Sequence, residues 1–207
     1  NGKDIIHSAE KLKHAGRSLS NHKIAATIES AKHKERVVCS ISDFDKDPRI
    51  LNLRNGYLDL NEGCKFLPHD KSQMLMKVSP VEYRKDEGCP NWDAFLDRIF
   101  KGNKETIRYI QKAVGYTLTG LTDEECFFIL HGGGANGKSV FLETIQRLLG
   151  EYSCTTPMDT LMAKSNNSSQ TNDLARMNGA RLIVSSEAEL GQQLAESKIK
   201  QLTGGDV

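Results

Sequence analysis

The most informative segment of this chain is Gly132-Gly133-Gly134-Ala135-Asn136-Gly137-Lys138-Ser139. It matches the pattern G-x-x-x-x-G-K-[ST] of a phosphate-binding loop, which requires a strand before it and a helix after it. The apolar residues 127–130 precede it and are typical of a strand buried on both faces. Apolar residues at helical spacing follow it as far as Gly150, a residue type that commonly ends helices. The sequence therefore predicts a strand, a phosphate-binding loop and a helix in succession, as in an α/β core.

The residue types in this loop suit a bound nucleotide. Glycines let the backbone curl until its N–H groups face phosphate oxygens, and the following helix adds the positive end of its dipole. Lys138 would place its ammonium on the β- and γ-phosphates, and the Ser139 hydroxyl would bind Mg²⁺. We expect a continuous run of residues to hold the nucleotide: Gly132, Gly133, Gly134, Ala135, Asn136, Gly137, Lys138, Ser139 and Val140.

A second candidate site residue is Glu187, which follows the short apolar run 182–184. Ligands of open α/β sheets gather outside the carboxyl ends of the strands, so we expect Glu187 to lie beside Ser139. Its carboxylate would then bind the metal or act on the attacking water. The alternative is an ordinary carboxylate that is solvated or caps a helix.

Composition excludes several classes of protein. The chain has 207 residues, 28 Lys and Arg against 27 Asp and Glu, a formal net charge of +1 and 38% hydrophobic residues. This balance argues against wholesale disorder, and the length suits one large domain or two small ones. No apolar run approaches the ~20 residues of a membrane span, and the polar N-terminus shows no secretory signal. Asn1 as the first residue suggests a piece of a longer chain.

The cysteines indicate a reducing cytoplasm. Their odd number and the absence of a C-x-x-C pair fit neither a disulfide framework nor a zinc site. We expect each to be a small buried hydrophobic residue: Cys39, Cys64, Cys89, Cys126 and Cys154.

The beginning of the chain predicts basic helices followed by short strands. Residues 1–36 carry eight Lys or Arg against four acids, with apolar residues at helical spacing. These helices would either meet nucleic-acid phosphates or be ordinary solvated helices. Further along, apolar and polar residues alternate around Asn55-Gly56, which predicts a β-hairpin with those two residues as its turn. Residues 64–67 and 74–78 are expected to be further short strands.

Two helices are predicted before the phosphate-binding loop. The first begins after a cap at Asn91 and carries an apolar stripe that includes Trp92. That position favours a core anchor for Trp92 over stacking on a base. Gly102-Asn103 ends this helix, and the second continues to about Leu118.

The combination resembles the superfamily III helicases, specifically the primase-helicases of satellite phages, plasmids and poxviruses. Three motifs in family order carry the resemblance, which covers nearly the whole chain. The phosphate-binding loop resembles motif A, Ser186-Glu187 resembles motif B and residues 200–206 resemble motif B′. The region from the hairpin through Trp92 to Gly120 resembles the domain that precedes the helicase.

The resemblance implies an AAA+-type ATPase that uses ATP and Mg²⁺ to move along single-stranded or forked DNA. Lys138 and Glu187 would be catalytic, Ser139 and Glu187 would bind the metal, and Lys200 would contact DNA. The family works as a hexameric ring, so we expect self-association in the full-length protein. We expect no membrane partner, and a location in the cytoplasm of a bacterium that carries a phage, prophage or plasmid.

Two departures from the family pattern affect the expected activity. Many relatives have a pair of acids in motif B, whereas Ser186 precedes Glu187 here, which leaves open how metal and water are shared. Motif C and the arginine finger would lie beyond Val207. We therefore expect nucleotide binding with poor hydrolysis, because a missing arginine finger costs ~10³–10⁵ in rate in other phosphate-loop enzymes.

The predicted fold is an α/β, AAA+-like phosphate-loop core over residues 122–207, truncated at its C-terminal end. A smaller α+β domain over residues 1–121 precedes it. Two alternative functions remain at this point. One is a nucleotide- and DNA-binding module without catalysis. The other is a small-molecule kinase, which is disfavoured because the only arginines after Gly150 are Arg176 and Arg181 and neither suggests a lid.

Overall fold

A computed structural model describes residues 2–35, 37–61, 63–163, 175–185 and 193–204, with side chains from residue 10 onward. The chain divides into two compact units, Asn1–Asp43 and Phe44–Val207. The functional boundary expected between residues 121 and 122 stays a prediction. In the described residues, no helix is both long and apolar enough to cross a bilayer.

The first unit contains two helices. Helix α1 spans Gly2–Ser18 and helix α2 spans Asn21–Ala31, which confirms the predicted basic helices. A short 3₁₀ turn over Ile41–Asp43 follows them. Helix α2 buries none of its residues, and the apolar side chains Leu12, Leu19 and Ile28 are exposed.

The second unit begins with a three-stranded antiparallel sheet. Strand β1 (Ile50–Leu53) pairs with β2 (Gly56–Asp59), and β2 pairs with β3 (Lys65–Leu67). Leu53 lies opposite Gly56, so the two turn residues are Arg54 and Asn55, one position before the predicted Asn55-Gly56 turn. Gly56 lies on β2 instead of in the turn. Glycine is needed there because a Cβ would lie 2.3 Å from the carbonyl oxygen of Leu67 on β3.

The strand predicted at residues 74–78 does not form. The carboxylate of Asp45 accepts hydrogen bonds from the backbone N–H groups of Met76 (3.0 Å) and Lys77 (3.3 Å). The carboxylate of Glu151 accepts the N–H of Val78 at 2.8 Å. Side chains therefore take the hydrogen bonds that a neighbouring strand would have used, and the segment runs as an irregular strap.

Two helices precede the predicted phosphate-binding loop. Helix α3 spans Pro90–Ile99 and begins one residue before the expected cap Asn91, because Pro90 suits the first helical position. Helix α4 spans Lys104–Leu118, and the Asn103 side chain caps it by accepting the N–H of Thr106 at 3.0 Å.

The predicted strand at residues 127–130 is the main departure from expectation. These residues adopt no regular structure, and their side chains are exposed, with Ile129 77% accessible. A strand buried on both faces requires hydrogen-bonded neighbours on a sheet. The described strands β4 (Ser153–Thr155) and β5 (Leu182–Val184) instead pair in parallel with each other as a two-stranded sheet.

The helix predicted after the loop is confirmed, and further short elements follow it. Helix α5 spans Lys138–Leu149 and leads through a 3₁₀ turn, Gly150–Tyr152, into β4. Helix α6 spans Glu196–Gly204. The protein is thus mixed α/β with small sheets, whereas its assignment to the phosphate-loop fold stays a proposal.

One apolar core joins the hairpin, α3 and α5. Its buried side chains are Leu51, Leu53, Leu58, Leu96, Phe141, Ile145, Leu149 and Tyr152. Trp92 stacks on Phe95 and on Phe141 at centroid distances of 5.4 and 5.6 Å, which confirms its role in packing α3 against α5.

The expectation of buried cysteines was wrong. Cys39, Cys64, Cys89 and Cys126 are exposed and Cys154 is half-buried. The exposed four lie in turns and loops: Cys89 immediately precedes α3, and Cys64 has a left-handed backbone with φ 43° before β3.

Candidate functional site

Backbone geometry at residues 132–137 makes a tight curl that depends on its glycines. Gly137 has φ 86° and Ala135 has φ 55°, both in the left-handed region. A Cβ on Gly132 would lie 2.3 Å from Nδ2 of Asn136, and one on Gly137 would lie 2.8 Å from Cγ2 of Ile99. The positive φ angles of Gly132 (153°) and Gly137 (86°) favour glycine at both positions, and a Cβ at Gly137 would also displace the Ile99 side chain of α3.

Lys138 holds the curl from inside. Its Nζ donates hydrogen bonds to the carbonyl oxygens of Gly132 (2.9 Å) and Gly133 (3.2 Å) and to Oδ1 of Asn136 (2.8 Å). An ammonium group has three hydrogens, so these bonds use its full donor capacity. The loop thus wraps around a positive charge at the start of a helix.

The residues present fit a phosphate chain. Residues 131–136 are exposed, so the curl is open to a ligand. Helix α5 begins at Lys138, so its first N–H groups and the positive end of its dipole lie at the same place. Ser139 and Val140 are exposed in the first helical turn, where a hydroxyl can reach a metal bound to phosphate oxygens.

The structure describes only some of the remaining predicted site residues. Glu187 and Ser186 lie outside the described residues, as do Gly205 and Asp206 of the motif B′ segment. The strand that leads to Glu187 is β5, which supports the predicted strand but leaves the position of the carboxylate a prediction. Lys200 is exposed on α6. Within the described ranges, no group of three or more His, Cys, Asp and Glu side chains is arranged to hold a metal.

Arg181 is a structurally important residue that sequence reasoning did not assign to the site. Its guanidinium donates to the carbonyl oxygens of Leu118, the last residue of α4, and Ile50, the first residue of β1. It also lies over the ring of Tyr152, 4.4 Å from the centroid. Burial lowers the pKa of Arg181 and raises the pKa of Tyr152. An Arg before an apolar strand is the only sequence signal, and it carries no information about these partners.

Tyr152 extends this contact into a seam between β1, the strap and the end of α5. Its hydroxyl donates to the carbonyl oxygen of Lys77 at 3.0 Å and accepts the N–H of Asn52 at 3.3 Å. The Ser79 hydroxyl donates to the carbonyl oxygen of Leu148 on α5 at 2.5 Å. Helix α5, which begins at the curl, is therefore anchored at its far end to the hairpin.

Comparison with known proteins agrees with the family resemblance. Residues 3–101 match the family described as D5 N terminal like. A "putative helicase" of Acanthamoeba polyphaga mimivirus is 29% identical over 175 residues, which are 80% of this chain and 18% of that protein. The chain thus spans about a fifth of the length of this relative. Together the two matches confirm the resemblance to D5-type superfamily III primase-helicases.

Proposed function

We propose that residues 132–139 bind Mg²⁺-ATP to drive a DNA helicase, in a chain that is similar to the D5-type primase-helicases of superfamily III. The observation that carries the proposal is the curl around Lys138. The curl places a lysine ammonium at a helix N-terminus, with two loop carbonyls and an amide oxygen as its partners. The positive charge and the helix N-terminus together favour a polyphosphate, which would replace those oxygens.

Each part of the loop has a distinct role in this proposal. The γ-phosphate would replace the loop oxygens as the partner of Lys138, and the first N–H groups of α5 would bind neighbouring phosphate oxygens. Ser139 and Glu187 would bind Mg²⁺, with Glu187 also polarising the attacking water. Hydrolysis of the bound ATP would supply the free energy for movement along DNA.

The wider activity follows from the family. We propose that the complete protein assembles as an AAA+ hexamer and translocates on single-stranded or forked DNA during replication of a phage, prophage or plasmid. Its location would be the cytoplasm of a bacterial host. Lys200 on α6 is exposed and would contact the DNA strand.

A second candidate is a nucleic-acid-binding module without catalysis. It is favoured by the exposed basic helices of the first unit, where Lys11, Lys13, Arg17 and Lys23 are all exposed. In that case single-stranded DNA would bind equally with and without ATP, and binding would weaken steeply with salt. Fluorescence anisotropy of a labelled oligonucleotide, at several salt concentrations with and without Mg²⁺-ATP, distinguishes this module from the motor.

Titration calorimetry of Mg²⁺-ATP tests the primary proposal. Three proteins are compared: the chain itself, Lys138→Ala and the control Lys112→Ala, which removes an exposed lysine from α4. Loss of charged hydrogen bonds worth about 1.5–3 kcal/mol predicts about 10–150-fold weaker binding for Lys138→Ala. The Lys112→Ala protein should bind as the parent does. Equal affinity of the parent and Lys138→Ala, or no binding by the parent, contradicts the proposal.

A further inference from the structure

We propose that the Asn136 side chain is an internal competitor of the phosphate chain, because its amide oxygen accepts a hydrogen bond from the Lys138 ammonium. The inference rests on the proposed function, since it concerns how a nucleotide reaches the same lysine. A competitor lowers the affinity for nucleotide, whereas a residue that contacts the nucleotide raises it. The proposal thus assigns Asn136 a role opposite in sign to the one expected from its place in the loop.

The Asn136 side chain lies across the curl. Its Oδ1 lies 2.8 Å from Nζ of Lys138, the shortest of the three hydrogen bonds that this ammonium makes. An ammonium can only donate, so the amide must present its oxygen to the lysine. The other amide atom, Nδ2, lies over Gly132, where a Cβ would come within 2.3 Å of it. One side chain therefore bridges the start of the loop and the lysine at its end.

The three partners of Lys138 differ in how they can be released. The carbonyl oxygens of Gly132 and Gly133 belong to the backbone, so they move only when the peptide groups of the curl rotate. The amide of Asn136 ends a short side chain that is exposed, and rotation about its χ angles carries it into solvent without a change in the loop backbone. Asn136 is therefore the partner that a substitution can remove alone.

The Lys138 ammonium cannot hold the amide and a phosphate oxygen with the same hydrogen. Its three hydrogens are used by the three loop oxygens, so a phosphate oxygen that binds Nζ must displace one of them. A charged phosphate is a stronger acceptor than a neutral amide and can replace it. The fraction of molecules in which the amide has already left Lys138 sets the apparent affinity for nucleotide.

Two substitutions change the competitor in opposite directions. Asn136→Ala removes the amide, and alanine suits the backbone there because Asn136, unlike Ala135 and Gly137, lies outside the left-handed region. Asn136→Asp replaces the neutral oxygen with a carboxylate, which pairs more strongly with the ammonium and repels phosphate. The control is Asn91→Ala, which changes an exposed asparagine in the first turn of α3.

Chemical labelling tests the contact without nucleotide. Trace acetylation of the 207-residue chain with acetic anhydride, followed by peptide mass spectrometry, gives the rate at Lys138 relative to the exposed Lys112. Asn136→Ala should raise this ratio at least about threefold, because Nζ loses a partner that shields it, and Asn91→Ala should leave it unchanged. A ratio in Asn136→Ala equal to that of the parent overturns the inference, whatever the nucleotide result.

Titration calorimetry with Mg²⁺-ATP distinguishes a competitor from a nucleotide contact. We expect the dissociation constant to fall about 3–10-fold in Asn136→Ala and to rise at least about tenfold in Asn136→Asp. Stopped-flow mixing with a fluorescent ATP analogue should place the gain of Asn136→Ala in the association rate, with the dissociation rate within about twofold of the parent. Unchanged or weaker binding by Asn136→Ala, or a gain confined to the dissociation rate, overturns the inference.

The outcomes also separate this inference from the proposed function. If the parent binds Mg²⁺-ATP and Lys138→Ala binds it much more weakly, the proposed function stands and the affinity of Asn136→Ala decides the inference. Binding by Asn136→Asp that is as tight as that of the parent overturns the inference as well. If the parent does not bind Mg²⁺-ATP, both the proposed function and the role of Asn136 fail.

Discussion

Replacement of Tyr152 by phenylalanine tests the seam between the hairpin and the end of α5. Tyr152 is 1% exposed, and its hydroxyl makes two hydrogen bonds with backbone groups of Lys77 and Asn52. Phenylalanine keeps the ring, so the packing and the stacked Arg181 guanidinium are preserved. The change therefore isolates the hydroxyl.

Removal of the hydroxyl affects its two backbone partners differently. The Lys77 carbonyl oxygen also accepts Nδ2 of Asn52 at 2.9 Å, so it stays paired. The Asn52 N–H is buried and loses the partner that the hydroxyl supplies, at a cost of about 1–3 kcal/mol. We expect a total loss of about 2 kcal/mol, which for a chain of this length lowers Tm by about 4–8 °C.

Thermal and urea denaturation monitored by circular dichroism measure this loss. The matched control is Tyr109→Phe, because Tyr109 is 58% exposed on α4 and should change Tm by less than about 2 °C. A Tm for Tyr152→Phe that equals the control would refute the inferred seam.

The same pair of proteins gives a pH signature. Burial raises the pKa of Tyr152 in the folded protein, while the unfolded chain ionises near the ordinary value of about 10. The parent is therefore fully stabilised by this group below pH ~10 and loses that contribution as the pH rises through the folded pKa. Since phenylalanine does not ionise, the stability difference between Tyr152→Phe and the parent should narrow above pH ~10. A difference that stays constant to higher pH would contradict the shift.

Three further predictions concern packing and reactivity. Gly150→Ala should lower the free energy of unfolding by at least about 2 kcal/mol, because the residue has φ 55° and its Cβ would lie 2.3 Å from Cδ of Pro80. Urea denaturation measures this loss, and the control Gly88→Ala should leave the free energy of unfolding unchanged. Thr156→Val should leave the free energy of unfolding unchanged or raise it by up to about 1 kcal/mol, since the buried Thr156 hydroxyl has no hydrogen-bond partner among the residues that the structure describes. A clear loss of stability in urea denaturation would contradict this. Burial raises the pKa of the Cys154 thiol, so iodoacetamide at pH 8 should label Cys154 more slowly than the four exposed cysteines, Cys39, Cys64, Cys89 and Cys126. Peptide mass spectrometry measures the labelling, and equal rates at all five cysteines would contradict this prediction.

Local patterns predicted much of the secondary structure. The helical spacing around Trp92 and after Lys138 predicted α3 and α5, and the alternation around Asn55 predicted the hairpin. These signals succeed because each depends on residues that are close in sequence. The curl of the loop was likewise predicted, since its glycines and Lys138 interact within eight consecutive residues.

Features that depend on distant partners were not predictable. The strap at residues 74–78 has strand-like composition, but carboxylates of Asp45 and Glu151 take its N–H groups. The apolar run 127–130 has the composition of a buried strand, but its side chains are exposed. Composition does not show whether a neighbouring strand is available to pair with such a run. Arg181 contacts residues 63 and 131 positions away in the chain, a distance over which no spacing rule operates.

Nucleotide binding at the curl can be tested by a crystal structure of the chain with Mg²⁺ and a non-hydrolysable ATP analogue. We expect phosphate density inside the curl of residues 132–137, with Nζ of Lys138 moved from the carbonyl oxygens of Gly132 and Gly133 to the β- and γ-phosphates. Ser139 should lie beside the metal. A nucleotide bound elsewhere, or a Lys138 that keeps its loop partners while nucleotide is bound, would show that residues 132–139 are not the nucleotide site.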